Sequence, residues 1–194
     1  MLKSITVFCG SADDCPQKYL DDAYHVGAVI ASQGRSLLYG SGSWGSMGYV
    51  ARGAQSQGGH VTGINVRRFD DGSHPLAVDA YRVLPTMQER KVQLISQCEG
   101  AIAIPGGMGT LDEITELFVM AQLGDARCPF GLLNMHGYFD GFLLQLKRAY
   151  ADGFLKAGDY ARLMVAQEIE TLLDMLDHYD AFYQARLAQL TQGG

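Results

Sequence analysis

The chain has 194 residues, 47% hydrophobic and 19% charged, which supports one buried core and excludes a disordered chain. Asp and Glu outnumber Lys and Arg by 21 to 15, a formal charge of −6 that excludes nonspecific wrapping of nucleic acid but not a small anion held by local positive ends. No stretch approaches the roughly 20 apolar residues of a membrane helix, and Cys9, Cys15, Cys98 and Cys128 show neither a C-x-x-C pair nor zinc-ligand spacing, so no metal site is expected.

The N-terminal MLKSITVFCG is too short in apolar length for a signal peptide, and it runs directly into a first strand, ITVFCG (5–10). A cytoplasmic protein with reduced thiols is the expectation, with Cys9 and Cys98 as core fillers. A helix over 16–33 follows, with Pro16 at its start, Gly34 as its stop and an apolar stripe of Tyr19, Ala23, Val26 and Ile30. Next come a strand SLLYG (36–40), a helix over 47–58 and a strand HVTGIN (60–65). The stretch 66–80, VRRFDDGSHPLAVDA, reads as a loop, and YRVLP (81–85) as a fourth strand before a helix over 86–98. AIAIPGG (101–107), a helix over 110–123, PFGLLN (129–134) and a helix over 137–152 complete the alternation, with a helical segment from about 159. Continuous apolar strands between amphipathic helices predict a parallel, doubly wound α/β sheet with helices on both faces, in a single domain over 1–194.

Such sheets bind ligands beyond the carboxyl ends of their strands. Three loops there stand out, and they help account for 24 glycines where an average share of about 7% would give far fewer. The first is Cys9-Gly10-Ser11. The second, Gly40-Ser41-Gly42-Ser43-Trp44-Gly45-Ser46-Met47-Gly48, contains a literal G-x-G-x-x-G at Gly40, Gly42 and Gly45. A dinucleotide site calls for an acidic residue about 20 residues on, where this chain has Asn65 followed by Arg67 and Arg68. Those arginines leave an NADP reading open. Tight turns and close helix packing are the simpler use of these glycines.

The third loop, Pro105-Gly106-Gly107-Met108-Gly109-Thr110, ends a strand and opens a helix whose Leu111, Ile114, Leu117, Phe118 and Ala121 share one face. Thr110 and Glu113 have T-x-x-E spacing, so Glu113 is either a capping carboxylate or a carboxylate at the rim of a phosphate- and ribose-sized cleft. Met87-Gln88-Glu89-Arg90-Lys91 opens the helix after the fourth strand, where positive side chains oppose the helix dipole unless an anion is near. Arg90 and Lys91 therefore point to anion contact or to a solvated basic face.

Arg90-Lys91 followed by Pro105-Gly106-Gly107-Met108-Gly109-Thr110-Leu111-Asp112-Glu113 resembles the LONELY GUY (LOG) family, nucleoside 5′-monophosphate phosphoribohydrolases that activate cytokinins and were often labelled lysine decarboxylases. The resemblance extends through VFCGS (7–11), LYGSGSWGSMG (38–48), AQLG (121–124), GLLNMHGYFD (131–140) and DGFL (152–155). It implies a Rossmann-like fold, a homodimer or higher even-numbered homo-oligomer, and no metal or organic cofactor. The implied reaction is hydrolysis of the N-glycosidic bond of an N6-modified adenosine 5′-monophosphate to free base and ribose 5-phosphate. Carried over by motif, Arg90 and Glu113 are the catalytic pair. Ser11, Gly42, Ser43, Gly45, Met87, Lys91, Gly106, Gly107, Met108, Gly109 and Thr110 would surround the nucleotide.

The chain departs from the family pattern where relatives usually read GGGS-x-GLMG, with Ser41 and Ser46 here, and at Val119-Met120, where relatives often carry Thr-Trp. Those changes leave the base open between plain adenine, a prenylated adenine and another base. The apolar positions of 110–123 point to a dimer packed through the helices after the fourth and fifth strands. Two rival expectations are a non-catalytic nucleotide or molybdenum-cofactor carrier and an NADP-binding oxidoreductase using Arg67 or Arg68. Lysine decarboxylation is rejected, because a pyridoxal phosphate Schiff base needs a lysine in the site and only Lys91, of five, lies in a candidate loop.

Overall fold

A computed structural model describes residues 1–70 and 76–192. The six anticipated apolar runs form strands β1 (Ser4–Phe8), β2 (Ser36–Tyr39), β3 (Val61–Val66), β4 (Ala80–Leu84), β5 (Gly100–Ala103) and β6 (Phe130–Leu133). Between and after them lie α1 (Gln17–Ser32), α2 (Gly45–Ser56), α3 (Met87–Ser96), α4 (Met108–Leu123) and α5 (Asp140–Ala151). Of the loop expected over 66–80, Arg67–Phe69 form one 3-10 turn, and residues 71–75 lie outside the described residues.

The C-terminal region is not wholly helical, as expected from about 159. It comprises α6 (Ala157–Arg162), a seventh strand β7 (Leu163–Ala166), α7 (Ile169–Asp177) and α8 (Tyr179–Gln192). Four apolar residues, Leu-Met-Val-Ala, carry no period of their own, and parallel pairing with β6 from Phe130↔Leu163 to Leu133↔Ala166 makes them a strand.

All neighbours in the sheet are parallel, in the order β4-β3-β2-β1-β5-β6-β7. Alternation along β1 shows why both faces are buried. Ile5, Val7 and Cys9 join a core with α1, α2 and α7, whereas Phe8 joins one with α3 and α4. Thr6, also fully buried, donates its hydroxyl to the Leu94 carbonyl of α3 at 2.9 Å. Helices α1 and α2 pack backbone to backbone, since a Cβ at Gly27 would overlap the Val50 carbonyl and one at Gly53 the Tyr24 carbonyl. Part of the glycine excess is therefore packing.

The chain winds outward from β1 to β4 and then returns across the sheet to β5, which pairs with β1 on its other side. Adjacent loops diverge to opposite faces at that reversal and open a crevice. The loops after β1 and β5, two of the three glycine-rich loops, flank it.

Candidate active site

A cavity of about 840 Å³ lies at the carboxyl ends of the strands, lined by the loops after β1, β2 and β5 and by residues from β3, β4, α3 and α4. It also receives Tyr19 from α1 and Tyr138 from the turn before α5. Its lining includes Ser11, Gly42, Ser43, Met87, Arg90, Gly106, Gly107, Gly109, Thr110 and Glu113. Three expected residues, Gly45, Lys91 and Met108, are not among the lining residues.

At its centre, Arg90 Nη1 donates to Glu113 Oε1 at 2.8 Å, and each residue is only 5% exposed. Arg90 comes from the first turn of α3, which opens with Thr86 as N-cap: Thr86 Oγ1 accepts from Glu89 N, and its hydroxyl donates to Glu89 Oε1 at 3.0 Å. Its guanidinium also donates from Nε to the Ile64 carbonyl at 2.9 Å and from Nη2 to the Gly40 carbonyl at 3.2 Å. Three of the fork's five N–H donors are thereby spent on the protein. The fork is locked against the ends of β2 and β3 and fixes Glu113 in turn. Burial pushes the Glu113 carboxyl above the usual carboxylate range, with Arg90 offsetting only part of that cost.

Thr110 and Glu113 do not form the expected capping box. Helix α4 starts two residues earlier, at Met108, with Gly107 as its N-cap and no side chain closing the end. Thr110 is therefore inside the first turn, and its buried Oγ1 has no hydrogen-bond partner among the described residues. It fills the space a Cβ on Gly106 would need, so glycine is required there. An uncapped helix N-terminus, a backbone stripped of side chains and an unsatisfied buried hydroxyl together make an anion cradle.

The G-x-G-x-x-G loop has no such opening. Gly45 N, the first amide of α2, donates to Asp13 Oδ1 at 2.5 Å, and Met47 N donates to the Gly10 carbonyl at 3.0 Å. The chain's own carboxylate thus occupies the place a pyrophosphate would take. Gly45 adopts φ +58° with its Cα against Ser11 and Ala12. Gly45 serves turning and packing, while Gly40 and Gly42 line the cavity.

Asn65, where a dinucleotide site would have its acid, donates from Nδ2 to Tyr81 Oη at 2.9 Å, and Tyr81 donates to Asp70 Oδ1 at 3.0 Å. Ser41, a non-glycine residue at φ +62°, lies beside the phenols of Tyr39 and Tyr81. Burial pushes the Tyr39 phenol up to about 12, so this end of the cavity presents neutral hydroxyls. Arg67 and Arg68 are not among the lining residues, and Arg68 rests on the Phe69 ring at 4.6 Å.

Lys91 finds its anions within the protein: Asp112 Oδ2 at 3.0 Å and Glu116 Oε2 at 2.6 Å, both on α4. Burial lowers its pKa, but these pairs outweigh that and hold the ammonium charged beyond its ordinary range. Cys9 lines the cavity as a thiol raised by burial, unsuited to act as a nucleophile. Cys98 is half-buried beside Cys128, Sγ to Sγ 3.6 Å. The aromatic wall of Tyr19, Tyr39, Trp44, Phe69, Tyr81 and Tyr138 was not anticipated, since its members come from five separate segments.

Residues 47–176 match the model of a family described as "Possible lysine decarboxylase". Two rice relatives, a probable cytokinin riboside 5′-monophosphate phosphoribohydrolase LOGL9 and the phosphoribohydrolase LOG, are each 35% identical, over 91% and 95% of this chain and 78% and 77% of theirs. The Arabidopsis thaliana phosphoribohydrolase LOG5 is 34% identical over 91% of this chain and 78% of its own. This chain belongs to the LOG family. The LOG fold extends to proteins of lower identity. A molybdenum cofactor binding protein from Rippkaea orientalis superposes with TM-score 0.71 at 23% identity, covering 92% of this chain and 98% of its own. The molybdenum cofactor carrier protein of Chlamydomonas reinhardtii does so with TM-score 0.65 at 22% identity, over 99% of both chains. In this LOG-family chain the sheet is doubly wound, with its crevice between β1 and β5.

Proposed function

We propose that this protein hydrolyses the N-glycosidic bond of an N6-modified adenosine 5′-monophosphate, releasing the free base and ribose 5-phosphate. The observation that carries this reading is the buried Arg90–Glu113 pair facing the same cavity as the uncapped start of α4 and the unpartnered Thr110 hydroxyl. The 5′-phosphate sits at the amides of 107–109 with the Thr110 hydroxyl. That places the ribose beside Glu113, less than one helical turn further on.

Cleavage builds positive charge on the ribose ring as the base departs. The ionised Glu113 carboxylate holds the ribose hydroxyls and stabilises that charge, and its fixed geometry avoids reorganisation at the moment of reaction. Arg90 keeps the carboxylate aimed and ionised through its own locked fork. The remaining guanidinium N–H groups face the nucleotide. The aromatic and neutral hydroxyl wall from Tyr39 to Tyr81 accommodates the base and its N6 substituent. Amine chemistry at Lys91 finds no support, since a Schiff-base lysine must lose its proton and this one is held charged by two carboxylates.

The assembly in this reading is a homodimer through α3 and α4, supported by exposed Val92, Val119 and Leu123 on those helices. No helix among the described residues is long and apolar enough to cross a membrane. The reading places the reaction in the cytoplasm, where nucleoside monophosphates are made. Incubation with AMP and with isopentenyl-AMP tests it. Free base and ribose 5-phosphate are expected, whereas binding without base release would favour a carrier, and tighter binding of NADP than of AMP an oxidoreductase.

A further inference from the structure

The cradle at the start of α4 works only if the Gly106–Gly107 peptide keeps its orientation, and two glycines in sequence leave that peptide easy to flip. Its carbonyl is held from outside. Tyr138 Oη donates to the Gly106 carbonyl oxygen at 2.7 Å, joining residues 32 apart in sequence. In a trans peptide the carbonyl and the next N–H point in opposite directions, and no cis bond occurs among the described residues. The Gly107 N–H therefore faces away from Tyr138. Gly10 packs against the same peptide, close enough that a Cβ on it would stand 3.2 Å from Gly106 Cα and 3.9 Å from Gly107 N.

Tyr138 is itself held from three directions. Its ring meets Tyr19 edge-on at 5.4 Å and Phe139 at 5.2 Å. The turn before it runs through left-handed His136, φ +55°, and Gly137, φ +69°. A left-handed backbone at a non-glycine residue is strained and persists only where its surroundings impose it. Here His136 Nε2 is held by Asp22 Oδ2 of α1 at 2.8 Å, and Asn134 Oδ1 accepts from Phe139 N at 2.7 Å. This strained turn delivers one hydroxyl to one carbonyl at the edge of the cavity.

We infer that Tyr138 is a positioning residue for the phosphate cradle: its hydroxyl pins the Gly106 carbonyl so that the Gly107 amide stays presented to a phosphate. The inference rests on the phosphate position proposed above. It concerns the phosphate only, so it separates ligands by whether they carry one.

The test compares wild type with Tyr138→Phe, which keeps the ring contacts and removes only the hydroxyl. Calorimetry with ribose 5-phosphate and with adenosine is run alongside AMP hydrolysis. Losing one ordering hydrogen bond predicts ribose 5-phosphate affinity down about 3- to 10-fold and KM for AMP up by a similar factor. Adenosine affinity, kcat and Tm stay as in wild type, which a general loosening of the fold would not produce. Ribose 5-phosphate bound equally well by Tyr138→Phe, or adenosine weakened as much, overturns the inference. Wild type that binds ribose 5-phosphate without cleaving AMP overturns the hydrolase reading instead and leaves the role of Tyr138 standing.

Discussion

Replacing Glu113 by Gln separates the carboxylate's charge from its shape. The glutamine Oε1 still accepts from Arg90 Nη1 across the 2.8 Å contact, and the Arg90 bonds to Ile64 and Gly40 are untouched. The bond stays charge-assisted on the Arg90 side and loses only the carboxylate's share, roughly 1 kcal/mol. Against that, the amide escapes the burial penalty that raises the Glu113 pKa. The two nearly cancel, and Tm should move by no more than about 2–4 °C. No helix cap is lost, because Glu113 caps nothing. Turnover loses the negative charge facing the ribosyl cation, worth about 2.7–4 kcal/mol for one such group, or roughly 100- to 1000-fold in kcat. Base release from AMP and isopentenyl-AMP, followed by chromatography, reads this directly. Arg90→Ala should be crippled as well and bind more weakly, while Asp112→Asn, a change at the Lys91 pair, should retain most activity. A folded Glu113→Gln protein within about 10-fold of wild-type kcat would refute the electrostatic role.

Because activity requires ionised Glu113 and burial raises its pKa, the acid limb of kcat/KM should lie above the ordinary glutamate value of about 4.3. A limb at or below that value contradicts the environment described, and Arg90→Met should move it higher still. The same raised pKa means that Glu113 favours the folded chain in acid and loses that contribution as pH rises through its folded pKa. Thr110→Val removes the unpartnered buried hydroxyl at constant shape, so Tm should rise by a few degrees while AMP affinity falls about 10-fold; unchanged AMP affinity would remove Thr110 from the cradle. Light scattering at micromolar concentration should give a dimer mass, and a monomer would refute the α3–α4 interface.

Six of the seven strands were legible because a doubly buried parallel strand must be a continuous apolar run, as ITVFCG and AIAIPGG are. The amphipathic helices were legible from their period, and PGGMGT with its downstream glutamate marked the crevice that strand order later placed between β1 and β5. Spacing alone misread the helix start there. T-x-x-E fits Thr110–Glu113 and Thr86–Glu89 alike, and only the backbone path makes the second a cap. The partners of charged groups were equally hidden, since Arg90 meets Glu113 23 residues away, Lys91 meets Asp112 21 residues away, and Asp13 fills the α2 terminus from 32 residues back. The sequence by itself determined which segments are strands and helices, and which loops are bare enough for an anion. Only the tertiary structure decided which helix N-terminus stays open, because that depends on where strand order brings a distant carboxylate. One glycine-rich loop received Asp13 and became a packing device. The other receives no carboxylate from the described residues at its first amides, and it keeps the positive end of α4 facing the cavity.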